Sequence, residues 1–155
     1  MISTTCFFIG HRDAPETLCP LLADAVERRI AEYGVTEFVV GHYGHFDAMA
    51  ASAVRKAKEC HPEVTLVLLL PYYPFQFDTA EFDASFCPPG MESVPKQFAI
   101  LRANEYMIRH CGHLICYDEG YVGNTRELVE LARRLEEKGA VCIENLAICG
   151  MTALE

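Results

Sequence analysis

The sequence predicts an α/β fold, a doubly wound parallel sheet of about five strands with helices on both faces. Three observations lead to it. Apolar runs of strand length alternate with stretches of helical periodicity along the chain. One run, Val64 to Leu70, is apolar throughout, as expected of a strand covered on both faces. Three runs end in glycine-bearing loops, at Gly10-His-Arg12, Gly41-His-Tyr-Gly44 and Gly120-Tyr-Val-Gly123.

Thr5 to Ile9 reads as the first strand. Leu18, Leu22, Ala25, Val26 and Ile30 then recur at helical spacing, and Gly34 supplies a C-terminal stop. Glu37 to Val40 is the second strand. Asp47 to Cys60 is a helix rich in small residues (Ala48, Ala50, Ala51, Ala53, Ala57), ended by Pro62. Val64 to Leu70 is the third strand. Pro95 suits the first turn of a helix carrying Phe98, Ala99, Leu101, Ala103, Met107 and Ile108. Leu114 to Tyr117 is the fourth strand. The helix after Gly120 and Gly123 runs to about Lys138 before Gly139, and Ala140 to Ile143 is the fifth strand. The tail after Asn145 has no clear pattern.

The chain has 155 residues and is 51% apolar, which predicts one domain over 1–155 with a sizeable core. Its net charge is −9, from 13 basic and 22 acidic side chains. No basic run is present, so duplex nucleic acid is not an expected partner. The N-terminal Met1-Ile-Ser-Thr-Thr-Cys6 lacks a basic leader, and Val64 to Leu70 is too short to span a bilayer. The expectation is a cytoplasmic protein with no membrane partner.

The 8 cysteines form no Cys-x-x-Cys pair. Cys6, Cys116 and Cys142 sit in strand-like runs and read as free core thiols. His42 with His45, and His110 with His113 around Cys111, raise the question of zinc, but nothing completes a recognised ligand spacing. No metal and no resident cofactor is expected.

The segment 71–94 fits poorly. It holds Pro-Tyr-Tyr-Pro-Phe75, then Phe77, Phe82, Phe86 and Cys87-Pro-Pro-Gly90, and reads as an irregular aromatic insertion. A lid over the site, an oligomer contact and a surface insertion with its own apolar cluster are all open readings.

Strand-to-helix loops of a parallel sheet lie at its carboxyl edge, where such folds bind ligands. There Gly10, Gly41, Gly44, Gly120 and Gly123 would let a ligand approach the backbone, and helix starts would aim N–H groups at an anion. Any one of these glycines is equally a requirement of its turn. Arg12 suits a phosphate through its planar fork, or pairs with Asp13 or Glu16 at the surface. His11 or His42 is a candidate phosphate donor. Asp47 takes a ribose hydroxyl, orders the glycine loop, or caps its helix. Asn124-x-x-Glu127 is close to a capping box, whereas a functional Glu127 would act at a glycosidic centre.

Four motifs in order carry a family resemblance. They are Cys6-Phe-Phe-Ile-Gly-His-Arg12; Gly41-His-Tyr-Gly44-His-Phe-Asp47; Arg102-Ala-Asn104 leading into Leu114-Ile-Cys-Tyr-Asp118; and Gly120-Tyr-Val-Gly123-Asn-Thr-Arg-Glu127. Together they resemble the YpsA-like branch of the SLOG superfamily, related to DprA/Smf and to Lonely-guy and lysine-decarboxylase-like proteins. The resemblance spans nearly the whole chain and implies a Rossmann-like domain. In Lonely-guy enzymes the last motif reads Pro-Gly-Gly-x-Gly-Thr-x-x-Glu, and its glutamate acts with an arginine from the preceding helix on a nucleoside monophosphate. The resemblance maps those two roles to Glu127 and Arg102. Here the proline is absent, two residues separate Gly120 from Gly123, and Asn124 stands where threonine is expected.

The preferred expectation is therefore a sensor-type protein binding a nucleotide or a nucleotide derivative. Gly10, His11, Arg12, Gly41, Gly44, Asp47, Asn104, Gly120, Gly123, Asn124 and Thr125 would form the site. One alternative is a phosphoribohydrolase using Arg102 and Glu127 to cleave an N-glycosidic bond. Another is a non-catalytic interaction protein. A homodimer is implied by resemblance alone.

Overall fold

The computed structural model describes residues 3–72 and 78–147. Its strands are β1 (Thr5–Gly10), β2 (Glu37–Val40), β3 (Thr65–Leu69), β4 (Ala84–Phe86), β5 (His113–Tyr117) and β6 (Cys142–Asn145). Its helices are α1 (Cys19–Ala31), α2 (His45–Lys58), α3 (Lys96–His110) and α4 (Asn124–Glu137). The six strands form one sheet in the order β4-β3-β2-β1-β5-β6. Every pairing is parallel. The architecture is Rossmann-like.

Alternation along the strands builds two cores. Cys6 and Phe8 of β1 point toward α1 and α2, where Phe38, Val40, Leu66 and Ile115 join them. Phe7 and Ile9 point the other way, toward α3 and α4, with Val39, Val67, Leu69 and Leu114. Both faces are covered, which is why β1 and β3 read as apolar runs. The strand order reverses at β1, which pairs with β2 on one side and β5 on the other. The loops leaving β1 and β5 therefore diverge there and leave a crevice at the carboxyl edge.

The sheet carries one strand more than the five expected. β4 lies within 71–94 and pairs with β3, Val67 opposite Ala84 and Leu69 opposite Phe86. The carboxylate of Asp83 accepts the Leu66 N–H at 2.8 Å and pairs with Lys58, which fixes the entry to this edge strand. Three residues, two of them exposed, carry no readable alternation. Phe82 packs against the first core, and Phe86, Cys87 and Val94 against the second. Pro74, Phe75 and Phe77 lie outside the described residues.

At the opposite edge Arg29 is buried between α1 and the sheet. Its guanidinium stands 3.5 Å from Glu144 and 4.8 Å from the Tyr33 ring centre. His113 is buried beside it, and that burial, reinforced by the Arg29 charge, pulls its imidazole down to about 4.

Candidate functional site

The crevice is a cavity of about 460 Å³ at the carboxyl ends of β1, β2 and β5, bounded by α3 and the first turns of α2 and α4. That volume lies within the ordinary range for small-molecule sites.

The loops after β1 and β2 are stitched together. The Arg12 carbonyl accepts the His45 N–H at 2.8 Å, so the first turn of α2 hangs on the first loop. His45 adds a ring-nitrogen contact to the Ala14 carbonyl at 2.8 Å. A methyl group at Gly44 would meet Arg12 Cα at 2.6 Å, too close for any residue but glycine. At Gly10 it would enter the Phe46 ring. These two glycines thus admit the protein's own atoms, and the cavity forms beside them. Phe46, 1% exposed, stacks on Tyr117 and makes an apolar wall.

Asp47 lies in the first turn of α2 rather than at its cap. The N-cap is Gly44, and the Asp47 carboxylate reaches back to accept the Tyr43 N–H at 3.0 Å. Burial pushes its pKa up to about 6, against the opposing pull of that N–H and of Arg12.

The loop after β5 is held at both ends. The Asn145 amide oxygen accepts the Asp118 N–H at 3.1 Å while its amide N–H donates to the Asp118 carbonyl at 3.0 Å. The Asp118 carboxylate accepts the Gly120 N–H at 2.9 Å across a turn that needs φ +92° at Gly120. His11 Nε2 accepts the Glu119 N–H at 3.2 Å. The Tyr117 and Tyr121 hydroxyls donate to the Glu119 carboxylate. Burial first, then this pairing, raises the Tyr117 phenol to about 12, and the two phenols lower the Glu119 carboxyl.

The turn delivers the chain to α4, whose N-cap is Gly123. No side chain caps the helix, and the capping box expected of Asn124 and Glu127 does not form. Uncapped first-turn N–H groups and the positive end of the helix dipole thus open beside Gly123, Asn124 and Thr125.

Of the residues singled out in the sequence, Gly10, His11, Arg12, Gly41, Gly44, Asp47, Asn104, Gly123, Asn124 and Thr125 line this one cavity. Gly120 shapes the turn outside the lining. Arg102 is exposed and does not line it. Glu127 is exposed and borders an adjoining hollow of about 330 Å³ with Arg126, Glu130 and Arg134, which shares Val122 and Gly123 with the cavity. Tyr43, Phe46, Gln97, Ile100, Leu101 and Tyr121 also line the main cavity. Among the described lining residues Arg12 is the one arginine, and there is no lysine. No group of three or more His, Cys, Asp or Glu placed to hold a metal ion occurs among the described residues. No described helix is long and apolar enough to cross a membrane.

No family model matches the chain. No curated protein matches it either. Among solved structures, it is similar to DNA processing protein A (DprA) from Streptococcus pneumoniae, with a TM-score of 0.57 and 11% sequence identity over 91% of this chain. The chain spans 58% of that protein's length, and the likeness is one of fold.

Proposed function

We propose that this protein is a binding module for a nucleotide or a nucleotide derivative, held in the cavity at the carboxyl edge of the sheet. The observation that carries the reading is the convergence of the loops after β1, β2 and β5 on one cavity, with Arg12 and the uncapped start of α4 in its wall. An arginine fork and a helix N-terminus are complementary to a phosphate. The apolar remainder, with Phe46, Leu101 and Leu128, suits a ring. Membership of the SLOG superfamily accords with the order of the four sequence motifs and with the fold of DNA processing protein A.

The binding reading is favoured over phosphoribohydrolysis by the positions of Arg102 and Glu127. Both are exposed, and neither lines the cavity that would hold the substrate. The test is thermal or urea unfolding with AMP, GMP, CMP and UMP, with free base assayed in the same samples. A ligand at a hundred times its dissociation constant adds about 2.7 kcal/mol of stability. Stabilisation without base release is the expected result. Absence of stabilisation by every nucleotide would contradict the reading, and base release abolished by Glu127→Gln would replace it with the hydrolase.

A further inference from the structure

One wall of the cavity is unlike the rest. α3 contributes Gln97, Ile100, Leu101 and Asn104 to the lining. These positions follow the i, i+3, i+4, i+7 spacing that places residues on one helix face. The helix leaves the carboxyl edge after β4 and descends to the start of β5. Gln97 is thus near the mouth, and Asn104 lies about 10 Å further down at 1.5 Å per residue. Neither carboxamide hydrogen-bonds to another described residue. Between them the stripe is aliphatic.

Carboxamides separated by aliphatic surface make a poor phosphate site, since no formal positive charge is present on this wall. They suit a flat ring whose edge carries neighbouring donors and acceptors, because each amide offers both. Ile100, Leu101 and, from α4, Leu128 supply apolar contact for the ring face. The charge lies elsewhere, at Arg12 and the start of α4. Resting on the nucleotide-binding reading above, we infer that α3 is the base-reading wall of the site. Gln97 and Asn104 hydrogen-bond to the edge of the nucleobase while the phosphate lies toward Arg12 and Gly123. The protein therefore distinguishes nucleotides from other sugar phosphates through α3.

The experiment is calorimetric titration of the full chain with the four nucleoside monophosphates and with ribose 5-phosphate. Wild type, Gln97→Leu, Asn104→Leu and Arg12→Ala are compared. The wild type is expected to bind at least one nucleotide more tightly than ribose 5-phosphate. Each α3 substitution should weaken that nucleotide about tenfold, as unpairing one desolvated hydrogen-bonding group does. It should leave ribose 5-phosphate affinity unchanged, which also shows that the variant is folded. Arg12→Ala should weaken both ligands. Unaltered nucleotide affinity in both α3 variants, or equal losses for nucleotide and ribose 5-phosphate, would overturn the inference while leaving nucleotide binding standing. If neither nucleotides nor ribose 5-phosphate bind the wild type, the binding reading itself fails.

Discussion

The Asp47 carboxylate, in the first turn of α2, accepts the backbone N–H of Tyr43 at 3.0 Å and so closes the loop that precedes its own helix. Its position in the wall of the cavity makes that contact part of the site's shape. Burial is what raises its pKa, and the hydrogen bond only partly offsets it.

A pH dependence follows. The folded pKa of Asp47, about 6, lies above the ordinary 3.8, so the folded chain holds the proton more tightly than the unfolded one. Its contribution is fully present below the lower value and lost as pH rises through the higher. Asp47→Asn keeps an acceptor for the Tyr43 N–H and removes the charge. Urea unfolding at several pH values should find the variant more stable than wild type by about 1–3 kcal/mol above pH 7, with the gap closing toward pH 4.

His113 acts with the opposite sign. Its pKa is lowered from 6.5 to about 4, so its contribution is present above the higher value and lost as pH falls through the lower. His113→Gln should lose this slope. The wild-type profile between pH 4 and 6.5 is expected to be flatter than either single variant's, because the two groups oppose one another over overlapping windows.

Gly44→Ala and Gly10→Ala should each destabilise the fold by about 1–3 kcal/mol, the usual cost of overpacking. The Gly44 methyl meets backbone at Arg12, which cannot swing aside. Its φ of 179° is ordinary extended backbone, so the cost is one of contact. Denaturant unfolding measures it.

Asn145→Ala removes both hydrogen bonds that tie β6 to Asp118. A loss of about 1–3 kcal/mol is expected, the cost of unpairing buried backbone groups. Hydrogen exchange should accelerate at Glu119 to Val122 more than in α1, because the loop opens before the sheet does.

Most of the fold was legible in the sequence because its strands are apolar on both faces and its helices are punctuated by glycine and proline. β1, β2, β3 and β5 fall within a residue or so of the expected bounds, and β6 begins two residues later than expected. β4 was not legible, since its pairing depends on Asp83 reaching Leu66, a contact across 17 residues of chain. The candidate site was legible as an edge and as a set of loops. Its helix faces were not. Arg102 and Asn104 stand two residues apart and so cannot share a helix face; the cavity takes Asn104 and leaves Arg102 outside. The i, i+7 relation of Gln97 and Asn104 was the available signal. Glu127 depended on where α4 begins, and capping by Gly123 puts that start at Asn124 with Glu127 outside the cavity.

A backbone amide NMR titration with a nucleoside monophosphate tests whether the three loops hold one ligand. Shifts should group in three separated stretches, Gly10 to Asp13, Gly44 to Asp47 and Gly123 to Thr125, moving together with one dissociation constant. Millimolar nucleotide that leaves all three stretches unmoved, or perturbs only the hollow at Arg126, Glu130 and Arg134, would contradict the binding reading.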